Sequence, residues 1–265
     1  MDLDFLQSLT ETIMAAEREG AELILHVGSV MPQNKTGQRD VVTEYDRRVQ
    51  SLLVERLRQA VPEAGFVLEE SDSQDALNGE HVFIIDPIDG TMNFVHHFQH
   101  SAISVAYASG GELMCGCVYN PYTDEMFHAI KGQGAFLNGS PIAPDPSPLK
   151  ETLFCLGSSP YYPHLTDETF RLARIAFDNS LDLRRTASAA LDVCSVAAGR
   201  AGLYFELSLF LWDYAAALLI AREAGACCSN IEGRPLELNI RPSSIIVAGP
   251  QAFSDFLSLI DKRSP

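Results

Sequence analysis

Two aspartates close an apolar run in Ile84-Ile85-Asp86-Pro87-Ile88-Asp89-Gly90-Thr91-Met92-Asn93. The apolar part reads as a buried strand, and at its end two carboxylates stand three residues apart. Oxygen donors this close can share one hard cation, Mg2+, Mn2+ or Ca2+, and suit zinc poorly. Pro87 fixes its own φ and biases Asp86 towards extended backbone. The chain then turns, which lets both carboxylates converge with the intervening Ile88 carbonyl. Gly90-Thr91 can open a helix whose free N–H groups face an anion. The alternative is an ordinary turn, because Asp-Gly is a common turn dipeptide.

Three further acidic positions could complete such a site. Glu69 in Glu69-Glu70-Ser71 follows the strand Gly65-Phe66-Val67-Leu68. If that strand neighbours the first, Glu69 joins Asp86 on a metal and keeps an oxygen to orient water. Read alone, it is a solvated acidic loop, with Asp72 and Asp75 downstream. Thr43 reads as a helix N-cap with Asp46 at the third helical position, and Asp46 is free to accept a proton from another hydroxyl as well. Asp213 stands before an Ala/Leu-rich helix and reads equally as its N-cap or as a metal ligand; Trp212 beside it is expected in the core. His96, His97 and His100 offer nitrogen where the chemistry asks for oxygen, so packing or surface roles are expected for them.

The elements that must position these residues follow from periodicity. Phe5, Leu9, Ile13, Ala16 and Leu23 predict a first helix, followed by a polar loop from Met31 to Arg39. A second helix is expected over about Glu44 to Gln59, stopped by Pro62. Short strands follow at Phe66 to Leu68, Val82 to Ile85, Ile103 to Ala108, Leu113 to Tyr119 and Met126 to Ile130. Ala135 to Leu137 leads into an Asn138-Gly139 turn. Helices followed by closely spaced strands suggest an antiparallel sheet backed by helices. The proline-rich stretch Ile142 to Pro148 is the boundary candidate, which divides the chain into halves 1–146 and 147–265. Beyond it, strands at Thr152 to Leu156, Leu203 to Leu207 and Ile245 to Ala248 alternate with helices at Thr166 to Phe177, Ser188 to Ala198 and Tyr214 to Ala224. This alternation reads as α/β. In the first of those helices Phe170, Ala173 and Phe177 are expected to point inward.

The chain has 265 residues, of which 46% are apolar and 20% charged, as in an ordinary globular protein. Its 35 acidic and 19 basic residues give a net charge of −16, which argues against nucleic acid or an anionic membrane as partner. A phosphate bound to so acidic a chain calls for local divalent cations. The first residues carry no basic segment of the kind that opens a signal peptide, and no apolar run is long enough to span a bilayer. The six cysteines lack zinc-site spacing and are expected as reduced thiols in a cytoplasmic protein.

Taken together, Asp40, Thr43-x-x-Asp46, Glu69-Glu70-Ser71, Asp86-Pro87-Ile88-Asp89-Gly90-Thr91-x-Asn93-Phe94 and Trp212-Asp213 resemble the inositol monophosphatase family in order and spacing over nearly the whole chain. Gly116-Cys117-Val118-Tyr119-Asn120-Pro121, Gly134 to Gly139 and Glu223-Ala224-Gly225 support the resemblance. It implies a layered αβαβα sandwich of the inositol monophosphatase and fructose-1,6-bisphosphatase type, with an α+β half followed by an α/β half. It also implies a Mg2+-dependent, lithium-sensitive phosphomonoesterase, usually a homodimer, acting on a small phosphorylated polyol such as myo-inositol 1-phosphate. Two or three Mg2+ ions are implied, with Mn2+ as a substitute.

By the same resemblance, one metal takes Glu69, Asp86 and the Ile88 carbonyl, and a second takes Asp86, Asp89 and Asp213. A third, weaker ion leans on Glu69 through water. Thr91, oriented by Asp46, activates the attacking water with Glu69. The N–H groups of Gly90 and Thr91 hold phosphate; Glu206 and the backbone of Ala189 meet polyol hydroxyls, with Asp89 and Asp213 adjoining. Lys35 matches a mobile-loop lysine near the metals. Three departures stand out. Met92 replaces a second threonine, Ala187 replaces the glycine of a Gly-Ser/Thr-Ala turn, and Ala226-Cys227 replaces the glycine common after Glu-Ala-Gly. Nucleotide bisphosphates, fructose 1,6-bisphosphate and histidinol phosphate are alternative substrates on the same scaffold, and a regulatory protein without activity is the non-enzyme reading.

Overall fold

Leu6, Leu9, Ile13, Ala16, Gly20 and Ile24 recur every three or four residues and bury one stripe of the first helix, α1 (Leu3–Leu25). The computed structural model describes residues 2–28, 30–37, 40–71 and 74–261. Where a polar loop is expected, β1 (Gln33–Gly37) pairs antiparallel with β2 (Asp40–Val42). A ladder is made by backbone groups and needs no apolar face, so polarity alone does not reveal it. Helix α2 (Glu44–Ala60) opens on Thr43, whose hydroxyl accepts the N–H groups of Tyr45 and Asp46.

Seven strands then form one sheet in sequence order: β3 (Gly65–Leu68), β4 (Val82–Asp89), β5 (Ala102–Ser109), β6 (Glu112–Asn120), β7 (Glu125–Ile130), β8 (Ala135–Leu137) and β9 (Ser140–Pro141). Every neighbouring pair is antiparallel except β3–β4. A single short helix, α3 (Thr91–Val95), interrupts the run directly after β4. The second half contributes β10 (Leu153–Leu156), α4 (Thr166–Phe177), β11 (Asp182–Arg184), α5 (Ala189–Ala197), β12 (Leu203–Leu209), α6 (Leu211–Ala224), β13 (Cys227–Ser229), β14 (Ser243–Ala248) and α7 (Pro250–Asp261). Its sheet runs β11-β10-β12-β14-β13, parallel through its first three strands and antiparallel beyond.

The layers follow from what each sheet face carries. Along β5, Ile103, Val105 and Tyr107 pack with α1 and α2, while Ala102, Ala106 and Ala108 face the other way, towards α5 and α6. Successive side chains alternate between faces, so large residues on one side and alanines on the other admit a closely packed helix to the alanine face. Gly116 in β6 belongs to the same arrangement: a Cβ there would stand 2.6 Å from the Ala216 carbonyl of α6. The second sheet covers the far side of α5 and α6, and α4 and α7 close its outer face through Leu172, Ala176, Ala252 and Phe256. The result is the αβαβα sandwich.

One packing expectation is corrected. Ala173 is buried, but Phe170 and Phe177 of α4 are 59% and 53% exposed. The inward stripe is Thr169, Leu172, Ala173, Ile175 and Ala176. Two phenylalanines seven residues apart share a helix face, but nothing in that spacing says which face meets the sheet. All six cysteines are unpaired thiols. Among the described residues no helix is long and apolar enough to cross a membrane.

Candidate active site

Strand alternation would send Asp86 and Asp89 to opposite faces, because they are an odd number of residues apart. The structure avoids this with a bulge. Asp86 pairs with Ser104 and Asp89 with Ala102, so three steps along β4 match two along β5. The extra residue lies in Pro87-Ile88, where proline's missing N–H costs the ladder nothing. Both carboxylates therefore reach one cleft. Parallel pairing sets Leu68 beside Ile85, and the Glu69 N–H bonds the Ile85 carbonyl at 3.2 Å, so Glu69 comes next to Asp86.

The Asp86 carboxyl is 2% exposed, and its Oδ1 accepts the Ile88 N–H at 3.0 Å. Burial, then the charges of Glu69, Asp89 and Asp213, push its pKa well above the carboxylate range. Asp213 is raised in the same way, by burial and then by Glu69 and Asp89. Glu69, Asp89 and Asp213 thus act on Asp86, and Glu69 and Asp89 on Asp213, in one cluster of negative charge. Hard cations that keep some of their water suit an all-oxygen set spread along a cleft wall. The acids do not form a closed cage: among the described residues no three acid, histidine or cysteine side chains converge as a ready-made ligand cluster.

Asp46 and Thr91 meet beside this cluster. Thr91 Oγ1 lies 3.2 Å from Asp46 Oδ1 and 3.1 Å from the Ile88 carbonyl. Its one proton serves either acceptor, which leaves the hydroxyl oxygen able to accept from a third group. Asp46 Oδ2 is held by the Thr43 N–H at 2.8 Å and the Thr43 hydroxyl at 2.5 Å. The capping reading of Asp46 and its contact with a second hydroxyl thus hold together, one through each carboxylate oxygen.

The second half closes the cleft. Ser188 caps α5, and Asp89 sits at that helix's N-terminus, where it accepts the Ser188 hydroxyl, the Ala190 N–H at 2.9 Å and the Ala189 N–H at 3.2 Å. Burial raises Asp89 to about 7, even though these donors pull it down. Ala187 just before has φ +68°, the left-handed region in which glycine is at ease, so the glycine-like turn persists with alanine in it. Asn93 crosses the seam: its side-chain amide donates to the carbonyls of His100 at 2.6 Å and Thr186 at 2.7 Å. Gly90 has φ +87°, where glycine alone is at ease, and a Cβ there would crowd the Ala187 carbonyl at 3.0 Å.

Asp213 is the third residue of α6 rather than the residue before it, and its Oδ2 accepts the Phe210 N–H at 2.8 Å. It caps from inside the first turn while facing the cleft. Glu206 on β12 is buried, with Oε1 accepting the Ser159 N–H at 2.7 Å and the Ser159 hydroxyl at 3.1 Å, and Oε2 accepting the Tyr204 hydroxyl at 2.8 Å. Burial also raises its pKa.

Glu69, Asp86, Ile88, Asp89, Gly90, Thr91, Ala189, Glu206 and Asp213 all line one cleft of about 520 Å3. The backbone of Lys35 lies in β1, and its side chain lies outside the described residues. His96 and His97 are exposed. Several cleft residues escape sequence reasoning. Met92, Tyr161, Tyr162, Arg185, Ser188, Asp192, Phe210 and Trp212 also line it. Trp212, expected in the core, stacks on Phe210 with ring centroids 4.8 Å apart. Met92, adjoining the aspartate motif, Ser188, in the departing turn, and Trp212, in the Trp212-Asp213 motif, carried a signal.

Two mixed sheets in an α/β sandwich, with a carboxylate cleft between them and a helix N-terminus on its wall, define a phosphatase. The chain belongs to the inositol monophosphatase family, whose family model matches residues 6–262. It is 36% identical over 228 residues to the Nus factor SuhB of Vibrio cholerae, with 85% of each chain covered. It is 36% identical over 239 residues to the inositol-1-monophosphatase of Rhizobium meliloti, covering 86% of this chain and 88% of the relative. The solved structure of an inositol monophosphatase from Thermotoga maritima superposes with a TM-score of 0.86 at 31% identity, covering 97% of each chain.

Proposed function

We propose that this chain hydrolyses a small polyol or sugar phosphate, with myo-inositol 1-phosphate first among candidates, using bound Mg2+. The reading is carried by Glu69, Asp86, Asp89 and Asp213, which all line one cleft together with Thr91, itself bonded to Asp46. Glu69, Asp86, the Ile88 carbonyl, Asp89 and Asp213 would hold two or three Mg2+ ions, or Mn2+ in their place. Such ions neutralise a phosphate dianion, acidify a bound water and stabilise the leaving alkoxide. Thr91 accepts a proton from the attacking water as it passes its own to Asp46, and Glu69 orients that water. The Gly90 and Thr91 N–H groups face the phosphate. On the leaving-group side, Glu206, Asp213 and the backbone of Ala189 meet hydroxyls. The Ala189 N–H makes the longest contact on Asp89, so it is the one a polyol oxygen would share.

The halves 1–146 and 147–265 act as one unit, since Asp89 and Asn93 of the first are bonded into the second. A homodimer inhibited by lithium completes the reading; gel filtration and a LiCl titration check both. The central test is phosphate release from a panel of esters with Mg2+ and with EDTA: inositol phosphates, fructose 1,6-bisphosphate, a nucleotide 3',5'-bisphosphate and histidinol phosphate. Rapid Mg2+-dependent turnover of myo-inositol 1-phosphate is expected. Fast turnover of another ester beside slow turnover of this one would move the substrate elsewhere on the same scaffold. No turnover at all would favour a regulatory role without activity; the Vibrio relative is named a Nus factor.

A further inference from the structure

β3 is an edge strand of the seven-stranded sheet, and Glu69 follows it directly. An edge strand leaves the backbone groups of every second residue without a ladder partner. Gly65 and Glu69 donate towards β4, to the carbonyls of His81 at 2.9 Å and Ile85 at 3.2 Å, so Phe66, Leu68 and Glu70 face outward. Each of the three is met from outside the sheet. The Phe66 N–H donates to Asp75 Oδ2 at 2.8 Å, and its carbonyl accepts the Asp75 N–H at 3.1 Å. The Leu68 N–H donates to Gln74 Oε1 and its carbonyl accepts from Gln74 Nε2, both at 2.7 Å. The Glu70 N–H donates to Gln50 Oε1 and its carbonyl accepts from Gln50 Nε2, both at 3.0 Å. A side-chain amide carries an acceptor and donors side by side. Each glutamine therefore stands in for one residue of a missing neighbour strand.

The consequence falls on Glu69, where two planar peptide units meet at one Cα. The first unit contains the Leu68 carbonyl, held by Gln74, and the Glu69 N–H, held by Ile85. The second contains the Glu70 N–H, held by Gln50. With both planes held, φ and ψ of Glu69 are set and only its side-chain torsions stay free. A strand end on an open edge would otherwise have to be ordered when a ligand binds, at the cost of its backbone entropy. Gln50 is buried and stands one helical turn after Asp46 on α2, so one helix face carries both the partner of Thr91 and the clamp on Glu70. Neither glutamine is among the residues that line the cleft. Whatever they contribute there passes through Glu69.

We propose that Gln50 and Gln74 are positioning residues that hold Glu69 ready for a divalent cation by replacing the missing edge strand. The proposal deepens the phosphatase reading above and rests on its metal site.

The test is calorimetric titration of Mn2+ into the wild type, Gln50→Met and Gln74→Met, and into both variants again combined with Glu69→Gln. Methionine keeps the volume and removes the paired hydrogen bonds, so a packing role would survive it. Each single variant is expected to bind Mn2+ about tenfold more weakly, as when a group that orients a metal ligand is lost. Once Glu69→Gln has removed the ligand, the same substitutions should cost little more, because both act through one residue. The Mg2+ concentration for half-maximal phosphate release should rise in parallel, with kcat at saturating Mg2+ near the wild-type value. Asp75→Ala strips Phe66 on the same edge without touching either clamp on Glu69 and should leave the affinity alone. Should Gln50→Met fail to fold, Gln74→Met, at a partly exposed position, carries the same comparison. Unchanged affinity in the single variants, or an equal loss with and without the Glu69 carboxylate, overturns the proposal. A wild type that binds Mn2+ but hydrolyses no ester defeats the phosphatase reading alone, and the binding comparison still decides. A wild type that binds no Mn2+ overturns both.

Discussion

The Asp89 carboxylate, at the end of β4, accepts the Ala190 N–H at 2.9 Å from the first turn of α5. With Ser188 and Ala189 also donating, three of the roughly four acceptor positions of a carboxylate are filled. The position left over lies on Oδ1, so orientation is set by the second half while one lone pair stays available to the cleft. A helix N-terminus favours the ionised form that a metal ligand needs, against a burial that disfavours it.

Asp89→Asn would keep the shape but turn an amide N–H towards the donors of α5 and remove the charge. Mg2+-dependent phosphate release is expected to fall about a thousandfold, within the range of losing a main electrostatic contribution. Steady-state assays check this, and unchanged activity would remove Asp89 from the site.

Thr91→Ala deletes the hydroxyl between Asp46 and the cleft. The expected outcome is a kcat lower by about 10^2–10^4 with little change in KM, the usual size of a lost proton-transfer group. Thr91→Ser, which keeps the oxygen, should recover most of the rate. A threonine needed only for packing would give the opposite order.

Metal-free stability should fall as pH rises. Burial holds Asp89 and Asp192 at about 7, against an ordinary value near 3.9, so the folded chain holds protons that the unfolded chain has lost. This contribution is fully present below about pH 4 and is lost as pH rises through about 7. Thermal melts in EDTA should therefore be lower at about pH 8 than at about pH 5.5. Mg2+ binds the ionised carboxylates and should raise the melting temperature more at the higher pH. A gain from Mg2+ that is independent of pH would contradict the carboxylate site.

Ala187→Gly relieves a left-handed residue at φ +68°. Relief of about 1 kcal/mol is expected, partly offset by glycine's greater freedom when unfolded. A denaturant titration should show an unchanged or modestly raised midpoint. A clear loss of stability would mean that the methyl group packs usefully.

Gly157→Ala tests the leaving-group wall. A Cβ at Gly157 would stand 2.0 Å from Glu206 Oε2, so Glu206 must leave Ser159 or Tyr204. A loss of about 1–3 kcal/mol is expected, as for overpacking a buried site. The same variant should raise KM for a polyol phosphate if Glu206 meets its hydroxyls.

Much of this site is legible in the chain because its parts are local. Asp86 to Thr91 is one covalent segment, Thr43 and Asp46 share one helical turn, and the apolar runs before Glu69 and Asp86 mark strand ends. The helices α1 and α2 show as periodic stripes, and α6 as an Ala/Leu-rich run. The β1–β2 ribbon, the strand β11 and the outward turn of Phe170 and Phe177 do not show. The first two depend on which backbones become neighbours, and the last on which face of a helix meets a sheet.

The order of residues along the chain thus decides the donor types, the bulge-prone Pro87 and the family, since each is a property of neighbours in sequence. Folding decides that β3 lies parallel to β4 and that α5 meets Asp89 with its free N–H groups. Asp89 and Ala190 are 101 residues apart. No local pattern encodes such a meeting, because it follows only from how two sheets pack on the helices between them.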